Sequence, residues 1–370
     1  MTKLKLGVLF GGVSVEHEVS IITGLQLLKK VDRSKYEVTA IYIDKSGKWW
    51  TGSQAGELSF YRTADLFTPI GLTPFSLDLN QPSPTQLDVA LLCFHGTQGE
   101  SGSVQGALEL AGIPYQGPSV LSSAIAFDKI VTRQILAAEG INQTPYCWFT
   151  KHDWDTNQAG ALKKVTQLGL PVFVKPANSG SSIGIKRVSQ QAELAESINF
   201  ALQFDDRILV EKEVTDCIEI NVSVLGDQNS AAASVAEQPI KADEFLSFVD
   251  KYQRGGGKKS GMASATRRIP APISNLTLQL VQAEALQLFK IFDCSGVVRI
   301  DFFVNPTTNE IFLTELNTIP GSMSFYLWEA TQLSYPELID RLVAIALAQK
   351  TVAKDKLKAF ETNLLLTANI

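Results

Sequence analysis

The chain has 370 residues, of which 45% are hydrophobic and 19% charged, with 26 Gly and 15 Pro. At about 100–200 residues per domain this length predicts two or three domains, and it excludes a single small binding module. The composition excludes a disordered or collagen-like chain. With 33 basic and 38 acidic residues the formal net charge is −5. The sequence has no long basic run, which argues against nucleic acid as a partner.

The cysteines and the apolar runs indicate in which cellular compartment the protein is expected. The chain has four cysteines and no Cys-x-x-Cys pair, which argues against a zinc site or a disulfide framework. The apolar run at residues 6–10 ends at two glycines, too early for the core of a signal peptide. No apolar stretch approaches the roughly 18 residues that a membrane span requires. We therefore expect a cytoplasmic protein without membrane association.

The first third of the chain alternates between strand and helix patterns. Buried strands are predicted at residues 5–10, 37–43 and 88–94, and a helix at 19–30. This order is typical of an α/β layer with a parallel sheet, in which ligands bind at the carboxyl ends of the strands. Residues 11–20 and 95–102 are therefore expected at one functional edge.

The middle of the chain predicts a smaller α+β unit. A helix is expected at residues 123–139, and strands at 144–149, 171–176, 208–213 and 219–225. The strand at 171–176 contains Lys175 and leads into a loop of small residues at 177–184. Backbone N–H groups and hydroxyls in such a loop can face an anion.

The last third begins with a polar, glycine-rich stretch at residues 245–271, which is typical of a linker or an active-site lid. A helix is predicted at 276–292, and two strands at 296–304 and 310–316. The end, 350–370, has the pattern of an amphipathic helix or a tail.

Four polar residues on the last two strands suggest a metal site. Arg299 and Asp301 share one strand face, and Glu315 and Asn317 share another, because strand side chains alternate. If the strands form a hairpin, two carboxylates and an amide oxygen meet, a donor set that suits magnesium. A solvated hairpin face with incidental salt bridges explains the same pattern.

Two lysines and one strand end could contact a nucleotide. Lys175 with its loop suggests phosphate binding, although no Walker motif is present. Lys129 lies on a predicted helix; for either lysine alone, a surface charge is the simpler interpretation. The segment Glu211-Lys-Glu-Val214 could pair its backbone with an adenine or could be a plain exposed strand end.

The predicted sheet edge carries two further candidates. Glu16 lies at the mouth of the first strand, where a carboxylate could hold a substrate ammonium. His95 ends another strand beside three glycines, which favours a functional role over a structural one. The segment after the first strand lacks the Gly-x-Gly-x-x-Gly spacing, so it does not indicate a dinucleotide site.

In combination, these motifs closely resemble those of the D-alanine–D-alanine ligases of the ATP-grasp superfamily, over about residues 5–342. The matching motifs are Gly11-Gly-x-Ser-x-Glu-x-Glu-Val-Ser20, His95-Gly-x-x-Gly-Glu-x-Gly102, Phe127-Asp-Lys129, Lys175-Pro with Gly180-Ser-Ser-x-Gly184, Lys251-Tyr252, Arg299-x-Asp301 and Glu315-x-Asn317-Thr-x-Pro-Gly321. The resemblance implies a three-domain ATP-grasp ligase of class α/β and α+β. Its domains would be an N-terminal parallel-sheet domain over 1–122, a central subdomain over 123–216, and a C-terminal subdomain over 217–370 with a lid at 245–271.

The resemblance also implies a reaction and its cofactors. ATP drives the joining of two D-alanines, through an acylphosphate, to D-alanyl-D-alanine for peptidoglycan precursor synthesis. Two Mg²⁺ ions, which Mn²⁺ can replace, would bind to Asp301, Glu315 and Asn317. The implied nucleotide-binding residues are Lys129, Lys175, Ser182, Glu211, Lys212, Val214 and Glu219.

The remaining implied roles concern the substrates. Glu16 would bind the ammonium of the first D-alanine, with His95 close by. Ser181 and Tyr252 would tie the central loop and the lid to Glu16, and Lys251 would lie near the substrate carboxylates or the transferred phosphate. The oxyanion would be stabilised by Arg299 and the N–H of Gly321.

One departure from the family pattern concerns the second substrate. The segment after Pro320-Gly321 is shorter than in the family, and Ser324, with Ser322 as the alternative, is the counterpart of the serine that receives the second carboxylate. Tyr252 favours D-alanine, but D-serine or D-lactate as acceptor stays open. So does a non-catalytic ATP-binding protein on the same fold. The resemblance further suggests a homodimer.

Overall fold

The computed structural model describes residues 2–79, 87–240 and 267–354. Its strands form three sheets, of five, four and five strands. The first sheet contains parallel pairs, whereas every strand pair in the other two is antiparallel. This arrangement confirms the predicted combination of an α/β layer with α+β units.

The first sheet has the order β4-β3-β2-β1-β5. Its strands are β1 (Leu4–Gly11), β2 (Tyr36–Ile43), β3 (Trp49–Thr51), β4 (Thr73–Pro74) and β5 (Val89–Leu92). β1 pairs in parallel with both β2 and β5. The carboxyl ends of β1 and β5 therefore lie at one edge, as predicted. There the Ser20 hydroxyl accepts from the Gly11 N–H at 2.8 Å and donates to the Cys93 carbonyl at 2.7 Å.

The second sheet has the order β6-β9-β7-β8 and the third the order β12-β11-β10-β13-β14. The strands of the second sheet are β6 (Tyr146–Thr150), β7 (Val172–Pro176), β8 (Lys186–Val188) and β9 (Arg207–Lys212). Those of the third are β10 (Ile218–Gly226), β11 (Ala231–Pro239), β12 (Arg267–Arg268), β13 (Gly296–Val304) and β14 (Ile311–Asn317).

Helices cover these sheets. In chain order within the described residues they are α1 (His17–Lys30), α2 (Leu58–Tyr61), α3 (Thr97–Glu100), α4 (Ser103–Leu110), α5 (Val120–Phe127), α6 (Lys129–Ala138), α7 (Lys151–Thr156), α8 (Gln158–Leu168), α9 (Leu194–Ala201), α10 (Asn275–Ile291), α11 (Phe325–Ala330) and α12 (Tyr335–Lys354). Short 3₁₀ segments lie at Ser53–Gly56, Gln191–Glu193 and Gly321–Ser324. Within the described ranges, no helix is both long and apolar enough to span a bilayer.

The single helix predicted at 123–139 is two helices, so that prediction was wrong. Asp128 lies between α5 and α6 in an extended conformation, with φ −82° and ψ 105°. Its carboxylate accepts from the N–H groups of Ile130 and Val131, both at 3.0 Å. An aspartate that caps a helix N-terminus is a strong start signal, and here it overrides the continuous apolar pattern.

The C-terminal helix α12 packs on the first sheet and also contacts β13 of the third sheet. Its buried side chains Leu338, Ile339 and Leu342 share an apolar cluster with Leu6 and Val8 of β1. The predicted helix or tail at 350–370 overlaps the end of α12, and 355–370 lie outside the described residues.

Packing between α1 and β1 requires a glycine at position 24. A Cβ atom on Gly24 would lie 2.5 Å from Cγ of Phe10, which is fully buried. We expect Gly24→Ala to lower the free energy of unfolding by about 1–3 kcal/mol, because overpacking a rigid core forces side chains and backbone to shift. Urea unfolding measures this change.

A matched control is Gly106→Ala, in α4. The nearest atom to a Cβ there is Cγ2 of Val120, at 3.8 Å. Alanine is the better helix former by up to about 1 kcal/mol, so this variant should be neutral or more stable. Equal destabilisation by the two variants would contradict the packing argument.

Candidate active site

Glu16 lies where the first sheet meets the loop of the second. It directly precedes α1 and is 7% exposed, and the Ser181 hydroxyl donates a hydrogen bond to its Oε1. A Cβ on Gly180 would lie 2.5 Å from Glu16 Oε2, and one on Gly96 would lie 3.3 Å from it. Glycine at both positions therefore leaves room for this carboxylate, and the structure places Glu16 and Ser181 together as the sequence predicts.

His95 lies beside Glu16 at the same edge and is buried. Its Nε2 is 2.9 Å from the Thr23 hydroxyl. Burial, and secondarily the charge of Arg299, lowers the pKa of His95 to about 3. The imidazole is therefore neutral near pH 7.

Glu100 is a half-buried carboxyl at this edge to which the sequence reasoning gave no role. Its Oε2 accepts from the Gly96 N–H at 2.7 Å. Burial and then the charge of Glu16 raise its pKa well above the ordinary range. The signal was present in the sequence, since Glu100 is the one carboxylate within the glycine-rich motif that starts at His95.

A cleft lies between the three sheets. Its charged lining residues are Glu100, Lys129, Arg133, Lys175, Glu211 and Glu315. They come from the edge of the first sheet, from α6 and the second sheet, and from the third sheet. Segments far apart in sequence thus supply one site.

Two buried ion pairs position two of the cations that line the cleft, Arg133 and Lys175. Glu211 accepts from Arg133 Nε and from Lys175 Nζ. Burial alone would raise the pKa of Glu211, but the two cations outweigh it and lower the pKa to about 2. Arg133 also donates to the Leu313 carbonyl at 2.8 Å and so connects α6 to β14. Sequence reasoning missed Arg133, although it lies one helical turn after Lys129 on α6.

Lys129 is a further cation that lines the cleft. Its Nζ donates to the Ser179 carbonyl in the small-residue loop. Burial lowers its pKa, while the charge of Glu315 raises it in part. A half-buried ammonium in this setting gains stability from an anion that enters the cleft.

Of the four residues predicted at the adenine and ribose, Glu211 lines the cleft and the other three do not. Lys212 ends β9, and its Nζ donates to the carbonyls of Gly169 and Leu170, both at 2.9 Å. Val214 follows β9, and Glu219 is the second residue of β10. Ser182, predicted at the phosphates, is exposed and has a positive φ of 61°.

The predicted hairpin of the metal site is confirmed. Across β13 and β14, Asp301 lies opposite Glu315 and Arg299 opposite Asn317. Arg299 donates to both carboxylate oxygens of Asp301 at 2.7 Å, and Asn317 Nδ2 donates to Asp301 Oδ2 at 3.0 Å.

The residues present fit a magnesium site. Each carboxylate oxygen has two lone pairs, so Asp301 keeps acceptor capacity beside Arg299. The Asn317 amide uses its N–H side toward Asp301, which leaves its oxygen as a donor atom for a cation. Within the described ranges no cluster of three or more His, Cys, Asp or Glu is present. The remaining coordination would therefore come from nucleotide phosphates and water, which is usual for Mg²⁺.

The turn Gly321–Ser324, at the predicted second-substrate site, is buried. Ser322, Met323 and Ser324 all have positive φ, between 50° and 54°. The Ser322 hydroxyl donates to Gln26 Oε1 at 2.6 Å. Ser324 is fully buried, and its hydroxyl oxygen has no hydrogen-bond partner among the described residues.

The predicted residues Lys251 and Tyr252 lie outside the described residues, as does most of the predicted lid. The end of that stretch is not a loop: Arg267 and Arg268 form β12 and pair with Pro239 and Gln238 of β11. Arg267 also bonds to the buried Glu237 at 3.1 Å. The boundary of the lid at 271 was therefore too late, because this pairing was not visible in the sequence.

The fold and the cleft together define an ATP-grasp ligase. Residues 5–118 match the family described as D-ala D-ala ligase N-terminus, and residues 135–344 match the one described as D-ala D-ala ligase C-terminus. The chain belongs to the D-alanine–D-alanine ligase family, which confirms the resemblance found in the sequence. The family is ATP-dependent and requires metal.

Similar proteins span nearly the whole chain. The D-alanine–D-alanine ligase of Thermosipho africanus is 36% identical over 98% of both chains, and that of Bacillus cytotoxicus is 37% identical over 97% of this chain and 99% of its own. Among solved structures, the D-alanine-D-alanine ligase from Coxiella burnetii has a TM-score of 0.81 at 29% identity, covering 96% of this chain and 97% of that one. The VanG D-Ala:D-Ser ligase from Enterococcus faecalis has a TM-score of 0.80 at 27% identity, covering 93% and 100%. The backbone is thus similar to that of ligases with different acceptors.

Proposed function

We propose that this chain joins two D-alanine molecules to supply D-alanyl-D-alanine for peptidoglycan. ATP transfers its γ-phosphoryl group to the first carboxylate, which releases ADP, and attack by the second amine on the acylphosphate releases phosphate. The observation that carries the proposal is a cleft lined by Lys129, Lys175 and Glu315. Asp301 lies opposite Glu315 in the hairpin, and the charge of Glu16 acts on Glu100, which also lines the cleft. A carboxylate for an ammonium, cations for phosphates and oxygen ligands for a metal are what this reaction requires.

Nucleotide binding uses the second and third sheets. Lys129 and Lys175 contact the phosphates together with Ser182, and the adenine and ribose lie against Glu211, Lys212, Val214 and Glu219. Asp301, Glu315 and Asn317 hold two Mg²⁺ ions, which Mn²⁺ can replace. When bound, the ions neutralise the phosphate oxygens.

The first D-alanine binds through its ammonium to Glu16, with His95 beside it. The buried carboxylate of Glu16 complements this cation. The carboxylate of the first D-alanine then attacks the γ-phosphorus of ATP. The protein therefore needs to align the reactants and supplies no covalent nucleophile. Ser181, Tyr252 and Lys251 close and complete this end of the cleft against water.

The second D-alanine attacks the acylphosphate with its amine. The tetrahedral oxyanion receives positive charge from Arg299 and a hydrogen bond from the Gly321 N–H. Ser324 is the proposed contact of the second carboxylate, since its buried hydroxyl lacks a partner within the described residues.

D-serine or D-lactate in place of the second D-alanine is the alternative, and D-serine is the acceptor named for one similar structure. The turn after Gly321 is short and buried, and a D-Ala:D-Ser ligase is among the similar structures. A non-catalytic nucleotide-binding role has less support, because Glu16, Arg299 and Asp301 are all in place. We also propose a cytoplasmic homodimer.

One assay tests these proposals. Phosphate release from ATP and Mg²⁺ is measured with D-alanine alone and with D-alanine paired with D-serine or D-lactate, and the products are identified by mass spectrometry. D-alanyl-D-alanine from D-alanine alone is the expected result. Product only with another acceptor selects the alternative, and no release with any pair contradicts a ligase.

The role of Glu16 gives a separate prediction. Glu16→Gln should raise the KM of the first D-alanine by roughly 10- to 150-fold, because a hydrogen bond between charged groups contributes about 1.5–3 kcal/mol. The KM of ATP should stay nearly unchanged. The control is Glu18→Gln, since Glu18 is exposed and pairs with Lys45 at 2.6 Å away from the cleft. An equal rise of this KM in both variants would show that Glu16 does not bind the ammonium of the first D-alanine.

A further inference from the structure

Thr23 connects two parts of the site that are far apart in sequence. It lies on α1, is 1% exposed, and its hydroxyl contacts His95 Nε2 at 2.9 Å. The same oxygen accepts from the Ser322 N–H at 3.3 Å. One side chain therefore contacts both the histidine at the end of β5 and the turn Gly321–Ser324.

The bonding of this hydroxyl favours the tautomer of His95 in which Nε2 accepts, because an Nε2–H ring would leave the hydroxyl hydrogen without an acceptor. Among the described residues, His95 and Ser322 are its hydrogen-bond partners. A backbone N–H can only donate, so the lone acceptor left for the hydroxyl hydrogen of Thr23 is Nε2 of His95. Nε2 is then unprotonated, and the single proton of the neutral ring lies on Nδ1.

The turn depends on the same helix. Three consecutive non-glycine residues with positive φ are strained, and such a conformation persists only where the surroundings hold it. Thr23 bonds to the Ser322 N–H and Gln26 bonds to the Ser322 hydroxyl at 2.6 Å. α1 thus supplies the acceptors for both donor groups of Ser322, its backbone N–H and its hydroxyl.

We propose that Thr23 is a positioning residue for the second substrate: it holds His95 as an Nδ1–H donor and anchors the turn Gly321–Ser324. The role of the turn in this proposal rests on the proposed function. Arg299 lies close enough to His95 for its charge to act on the ring. An Nδ1–H donor near this guanidinium is complementary to an anionic oxygen of substrate or intermediate.

The tautomer is tested first, on the protein without substrates. The chain has three histidines, so ¹⁵N-histidine labelling gives a spectrum in which a His95→Asn variant identifies the His95 signals. We expect His95 with Nε2 unprotonated, and a mixture of tautomers in Thr23→Val. A protonated Nε2 in the unmodified protein would overturn the proposal, whatever the outcome of the activity assay.

Kinetics test the effect on the second substrate. In Thr23→Val we expect the KM of the second amino acid to rise about tenfold, with the KM of ATP within about twofold. Thr23→Ser keeps the hydroxyl and should restore the KM. The control is Thr277→Val, because Thr277 is 2% exposed and its hydroxyl also bonds to two side chains, far from the cleft. Equal KM values in Thr23→Val and Thr23→Ser would contradict the proposal, as would the same shift in Thr277→Val.

Discussion

Replacing Arg299 with alanine is expected to lower kcat by about 100-fold or more while the KM of ATP stays within about threefold. The guanidinium is mostly buried, at 16% side-chain exposure, and its charge acts on both His95 and Asp301. Loss of a preorganised donor to a developing oxyanion typically costs 100- to 1,000-fold. Steady-state kinetics with ATP and D-alanine measure both parameters.

Two variants sharpen this prediction. Arg299→Lys keeps a positive charge but cannot donate to both Asp301 oxygens, so it should recover only part of the lost rate. Arg33→Ala removes an exposed arginine from the end of α1 and should leave kcat unchanged. If Arg299→Ala weakened ATP binding as much as turnover, its main function would be to hold Asp301 for the metal and nucleotide.

Replacing Glu211 with glutamine should lower the free energy of unfolding by about 3–5 kcal/mol. Glu211 compensates Arg133 and Lys175, and its side chain is 5% exposed. Removing one member of a buried charge group leaves the others without a counter-charge, and this is the origin of the large cost. Urea unfolding at neutral pH, without nucleotide, measures the change.

The pH dependence of the same variant gives an independent result. Because the pKa of Glu211 is lowered from 4.5 to about 2 in the folded protein, its stabilising contribution is complete above about pH 4.5. It is lost as the pH falls toward 2. The unmodified protein should therefore lose more stability over this interval than Glu211→Gln.

The control for Glu211 is an exposed ion pair. Glu196 bonds to Lys186 at 3.2 Å, with 82% of its side chain exposed. Glu196→Gln should change stability by less than about 1 kcal/mol, because solvent screens such pairs. Similar losses in the two variants would show that the Glu211 group is not a buried charge network.

Local sequence patterns were sufficient for the strands that carry the proposed metal site. Apolar runs on either side of the turn at residues 305–309 predicted β13 and β14, and the alternation of strand side chains placed Arg299 with Asp301 on one face. The hairpin register then put Asp301 opposite Glu315. By contrast, β11 was not predicted, since its sequence is rich in alanine and small polar residues with little intrinsic strand preference.

The sequence by itself determined the family, the motifs and the chemical types of the site residues, because each depends on residues near one another in the chain. Only the tertiary structure decided which distant groups meet: Arg133 with Glu211, Thr23 with both His95 and Ser322, and α12 with the first sheet. These contacts join segments from dozens to more than 300 residues apart. Their formation depends on how whole sheets and helices bury apolar surface, and no local pattern encodes it.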